Sequence, residues 1–104
     1  MGFRIEYGLK EADEGKLKRE QRDVACDCWF TSGGKMIPRF LKYCDEEGII
    51  RQIWDIRVIY TQERRYCGIP AREYRCEAEI GGRLREFILR FWMEECRWQM
   101  ELCG

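Results

Sequence analysis

Apolar and polar residues alternate along most of this chain, most regularly from Arg72 to Leu102. Tyr74, Cys76, Ala78 and Ile80 stand between charged residues, Gly81-Gly82 interrupts the pattern, and two further alternating stretches follow. A period of two predicts strands, and a glycine pair supplies the positive φ that a tight hairpin turn requires. In that register Ile80 pairs with Arg83, Ala78 with Arg85, Cys76 with Phe87, Tyr74 with Leu89 and Arg72 with Phe91. Opposed residues share a face, so these pairs make one mostly apolar surface. The other face sets Glu73 against Arg90, a sensible ion pair, and Glu77 against Glu86, a poor one. A slip of one residue would turn the whole apolar set outward, which keeps the register despite that repulsion.

The stretch from Met93 to Leu102 is rich in helix formers, yet Cys96, Trp98, Met100 and Leu102 are apolar while Arg97, Gln99 and Glu101 between them are polar. A helical stripe through Trp92, Cys96, Met100 and Cys103 would leave Trp98 and Leu102 wet, so a strand is expected. A turn over Met93 and Glu94 then places Leu89 beside Trp98 and Phe87 beside Met100.

Upstream, Phe3, Ile5 and Tyr7 alternate as a short strand, and residues 9–23 read as a polar connection. Val24, Cys26, Cys28 and Phe30 alternate up to a second glycine pair, Gly33-Gly34, which sets Phe30 against Ile37, Cys28 against Arg39, Cys26 against Leu41 and Val24 against Tyr43. Pro38 in the returning strand cannot donate to a ladder and marks an unpaired edge or a bulge. Asp45-Glu46-Glu47-Gly48 has the composition of a type I turn closed by a glycine bulge. It launches a long strand, Ile49 to Thr61, that pairs Phe40 with Trp54, Arg39 with Asp55 and Met36 with Val58, and places Ile53 with Leu41 on the opposite face. Residues 62–71 read as an exposed loop. The expectation is an all-β domain over residues 1–104, a small antiparallel barrel or sandwich of six to seven strands ending in a hairpin meander.

Composition narrows the function classes. Nineteen basic and nineteen acidic residues cancel, so no overall field draws the chain to nucleic acid or anionic lipid. There is no histidine, which removes the usual general base near neutral pH and the commonest metal ligand. The first residues, interrupted by Arg4, Glu6 and Gly8, have neither a signal peptide's apolar core nor a membrane span, so a cytoplasmic location is expected. Seven cysteines there read as reduced thiols. Cys67, two residues from Arg65, is the only one that combines a positive neighbour with an expected loop position, where a thiolate could be activated. Cys26 and Cys28 have one residue between them, whereas structural zinc knuckles use two. Ser32-Gly33-Gly34-Lys35 lacks the span and the following hydroxyl of a phosphate loop. No catalysis, cofactor or metal is therefore expected.

Glu63-Arg64-Arg65 ahead of Ile69-Pro70-Ala71-Arg72 resembles the arginine loop of PilZ domains, β-barrels that bind a cyclic dinucleotide. The resemblance is confined to residues 63–72: the family's second arginine would fall on Gly68 or Ile69, and its downstream Asp/Asn-x-Ser-x-x-Gly partner is missing, so no function is carried across. What remains is binding or assembly with a protein partner or a second copy, through a sheet edge or an aromatic surface that includes Trp29. The alternative is a β-barrel that binds single-stranded nucleic acid or a nucleotide, stacked on an arginine and aromatic surface made of Arg64, Arg65, Tyr66, Arg72 and Arg75.

Overall fold

The computed structural model describes residues 13–103, and the expected strand Phe3 to Tyr7 lies outside them. Among the described residues there are seven strands and no helix: β1 (Arg22–Phe30), β2 (Met36–Cys44), β3 (Ile50–Ile53), β4 (Arg57–Tyr66), β5 (Ile69–Ile80), β6 (Arg83–Trp92) and β7 (Arg97–Leu102). All pairings are antiparallel, in one sheet of order β3-β2-β1-β7-β6-β5-β4. The sheet curls into a half-barrel. Its β2–β3 end swings over toward β4 and β5, so that Leu41 and Ile53 join Tyr74, Cys76, Phe87, Leu89 and Met100 in one core. The all-β expectation holds, as a single curled sheet that does not close. No described helix is long and apolar enough to cross a membrane.

The meander between β5 and β6 has the expected register in every pair, with Gly81 and Gly82 at φ 62° and 80°. Between β6 and β7 the register is displaced by two residues, giving Phe91 opposite Trp98, Leu89 opposite Met100 and Phe87 opposite Leu102. The chain spends residues 93–96 on the turn instead of two, with Cys96 at φ 51° and exposed rather than in the strand. A shift of two preserves parity, so the inward-facing set survives.

The first hairpin departs from expectation at its tip. Thr31 N–H donates to the Lys35 carbonyl at 2.8 Å, which closes a loop over residues 31–35 and sets Phe30 opposite Met36. Trp29 then faces Ile37 and Cys28 faces Pro38, while Cys26 pairs with Leu41 as expected. The register shifts between Asp27 and Cys28, absorbing Arg39 as an extra residue beside Pro38.

The Asp45 to Gly48 turn forms as expected, with Asp45 Oδ1 accepting from the backbone of Glu47 and Ile49 at 2.9 Å each. Leu41 pairs with Ile53, and the Phe40 and Trp54 rings stack at 3.8 Å. The expected strand from Ile49 to Thr61 is nevertheless two strands. At Asp55, φ 54°, the chain leaves β2, and from Arg57 it pairs with β5 instead. One straight strand could not serve both ends of the curl, so Met36–Val58 and Arg39–Asp55 are not ladder partners.

Residues 62–71 are not an exposed loop. They are the end of β4, a tight turn at Cys67-Gly68 with φ 52° and 82°, and the start of β5. Polarity on both faces hid the strand: inner positions such as Glu63 and Arg72 lie near the open end, while outer positions such as Glu73 are buried in ion pairs.

The connection read over residues 9–23 is also more than a solvated link where it is described. Residues 13–21 have no regular structure but form a strap across the outer face of the sheet. Asp13 accepts from the backbone of Cys67 at 2.9 Å and of Gly68, Glu14 N–H donates to the Arg65 carbonyl at 2.7 Å, and Leu17 packs on Tyr66, Ala71 and Trp92.

Candidate functional site

Two surfaces gather chemistry, one on each side of the sheet. On the outer face the expected Glu73–Arg90 cross-strand pair forms, and both residues are only 4% exposed. Arg90 Nε donates to Glu73 Oε2 at 2.8 Å, and its Nη1 donates to Glu101 Oε1 and Gln21 Oε1 at 2.9 Å each. The Tyr66 hydroxyl also donates to Glu73 Oε2. Burial, followed by that bond to a carboxylate, pushes the Tyr66 phenol up to about 12. Burial works against the Arg90 charge as well, but the Tyr66 oxygen and the two carboxylates outweigh it and raise its pKa. A buried charge is tolerated when it is paired and hydrogen-bonded. The network is thus structural, and Gln21 ties the strap into it.

On the inner side, where the half-barrel stays open, the tip of the β1–β2 hairpin stands over the sheet wall of β4, β5 and β6. Between them lies a groove of about 630 Å³. Its apolar walls come from Phe30, Met36, Ile37, Val58, Tyr74 and Phe91, and Lys35 and Arg72 bring positive charge to it. The Tyr74 hydroxyl donates to the Met36 carbonyl at 3.0 Å and pins the hairpin to the sheet. Burial holds that phenol protonated, pushing it up to about 12. Phe30, 76% exposed, overhangs the groove.

The residues singled out in the sequence do not converge. Arg64, Tyr66 and Arg75 share a polar depression of about 240 Å³ on the outer face, beside Glu73 and Arg90. Arg64 is engaged with Glu14 at 2.7 Å and Glu73 at 3.5 Å, and Arg75 with Glu86 at 2.7 Å. Arg65 donates to the Gly68 carbonyl at 3.2 Å. Arg72 lies apart from them on the inner side, in the groove and 3.8 Å from Glu63. Trp29 is 57% exposed on β1, with the Arg39 guanidinium 4.0 Å from its ring centre.

Sequence reasoning missed Lys35, Phe30 and Phe91 as groove residues. The pairing of Met36 with Val58 was the one available signal, because both line the groove although the ladder between them does not form. Cys67 is exposed, and its backbone N–H is held by Asp13. Among the described residues no three Cys, Asp or Glu side chains gather as a metal site. Comparisons with protein-family models, curated proteins and solved structures find no match for the chain.

Proposed function

We propose that this protein is a non-catalytic binding module that holds a protein partner at the open mouth of the half-barrel. The observation that carries the reading is the groove of about 630 Å³ with apolar walls and two cations, Lys35 and Arg72. Apolar walls favour an aliphatic or aromatic side chain, and the charges favour a neighbouring Asp or Glu. Phe30 supports the reading, since an aromatic left in water beside a groove gains about 1.5–3 kcal/mol when a partner covers it. The flanking β4 pairs only with β5 among the described residues, leaving an edge on which an extended segment can add its backbone hydrogen bonds. The nucleic-acid alternative has less support, because an oligonucleotide would have to displace the carboxylates from Arg64 and Arg75.

The test is a displayed library of random peptides selected against the full chain. Enriched sequences are expected to place an apolar residue beside an acidic one. Calorimetric affinity of a selected peptide should fall by about tenfold or more, a loss of about 1.4 kcal/mol, in Phe30→Asp and in Arg72→Glu. Arg75→Ala and Trp29→Ala should leave it unchanged, and circular dichroism should show all four variants folded. Peptides that bind Phe30→Asp as tightly as the unaltered chain would sink the assignment to the mouth. Loss in Trp29→Ala alone would move it to the outer surface of β1.

A further inference from the structure

Cys26 and Cys28 project from one face of β1, as residues two apart on a strand must. Their sulfurs lie 3.5 Å apart. Both side chains are partly buried, and Cys26 rests against the inner core. The two thiols share a hydrogen bond that holds Cys28 below the usual thiol range and, together with burial, pushes Cys26 above it. A pair in this geometry is preorganised as a chelate, because neither side chain has to move far for both sulfurs to reach one centre.

The surroundings restrict what that centre can be. No third Cys, Asp or Glu among the described residues completes a cluster with them, and the buried Cys76 thiol is engaged with the Tyr74 carbonyl at 3.5 Å. Zinc, which takes four ligands in structural sites, is poorly served by two sulfurs. A soft centre of low coordination number is well served. We propose that Cys26 and Cys28 form a two-sulfur site for a soft, low-coordinate thiophile, either a trivalent arsenical or cuprous ion.

The chemistry balances without an oxidant in either case. With an arsenical of the R-As=O type, two S–H bonds break, two As–S bonds form, and the arsenic-bound oxygen leaves with both protons as water. The adduct is neutral. With cuprous ion, both thiol protons pass to solvent and the bis-thiolate complex carries one negative charge. The partly buried site penalises that charge, so the neutral arsenical adduct is expected to be the tighter one.

Phenylarsine oxide requires two neighbouring thiols, which makes it the probe of choice on the reduced full chain. Native mass spectrometry should show one equivalent bound per chain. Peptide mapping should find Cys26 and Cys28 protected from alkylation, a readout on the unaltered protein that does not depend on how variants fold. Cys26→Ser and Cys28→Ser should each lose the adduct, while Cys67→Ser and Cys96→Ser keep it. A parallel titration with cuprous ion in competition with bicinchoninate distinguishes the sources: retention lost in the same two variants adds copper, and no retention assigns the site to the arsenical. No stoichiometric uptake of either probe, uptake that survives Cys26→Ser, or protection of other cysteines would overturn the proposal.

Discussion

The two faces of the β4–β7 sheet exclude water by opposite means. On the inner face Tyr74, Cys76, Phe87, Leu89 and Met100 are each 3% exposed or less, and what they bury is mainly apolar surface. On the outer face of the same strands Glu73 and Arg90 are nearly as inaccessible, at 4% each, yet what they bury is charge. Apolar burial is non-directional, so the inner face needs only a partner surface, which the β2–β3 end supplies. Charge burial needs every lone pair and proton answered, so the outer face recruits Tyr66, Glu101 and, from the strap, Gln21. One face depends on how far the sheet curls, and the other on residues 13–21 lying across it.

The comparison can be broken from either side, and the inner face should give the larger effect. Phe87→Ala is expected to destabilise the fold by about 3–5 kcal/mol, from lost burial and the cavity left where a fully buried ring is removed. Urea denaturation measures this. A loss below about 1 kcal/mol, the level of a mild surface change, would mean that Phe87 is not packed as described.

Next in size is Arg90→Met, at about 3 kcal/mol, because Glu73 would be left charged and buried without its strongest partner. Adding Glu73→Leu should recover most of that loss, since replacing both members of a buried pair with apolar residues is often neutral. A double variant no better than the single would show that the cost lies in packing rather than in the orphaned charge.

The smallest effect concerns the strap. Backbone N–H groups of Gly15, Gly68 and Cys67 donate to the Asp13 carboxylate and hold its pKa below the ordinary carboxylate range. A carboxyl whose pKa is lower folded than unfolded contributes stability that is complete above its unfolded pKa and is lost as pH falls through the folded one. Amide exchange followed by NMR should therefore show Cys67 and Gly68 losing protection at acid pH while the amides of β5 and β6 keep theirs. Asp13→Ala should produce the same local loss at neutral pH. Simultaneous loss throughout the sheet would mean that strap and strands unfold as one unit.

Legibility in the sequence followed how local the deciding interaction was. The β5–β6 register could be read pair by pair because Gly81-Gly82 sets the turn and the alternation on both sides has one consistent phase. The strap could not be read, since Glu14 meets Arg64 and Asp13 meets the Cys67-Gly68 turn across fifty or more positions. The same distance effect scattered the candidate site. Arg64, Arg65, Arg72 and Arg75 sit close together in the chain, but strand alternation sends Arg64 and Arg75 to the outer depression and Arg72 to the groove. The groove's other walls come from the first hairpin, whose loop over residues 31–35 was not the turn that the glycine pair suggested.

By itself the sequence determined an antiparallel all-β chain, the inward face of each meander strand and the Glu73–Arg90 pair, because period-two alternation and tight turns act between residues that the chain already holds near each other. Tertiary structure alone decided that the sheet stops at a half-barrel, that a polar connection lies over its outer face, and that a groove opens beside Arg72. Those outcomes depend on where Asp55 turns the chain away from β2 and on how far the β2–β3 end swings over β4 and β5. Both are set by the packing of distant strands, and no local alternation of residue types encodes that packing.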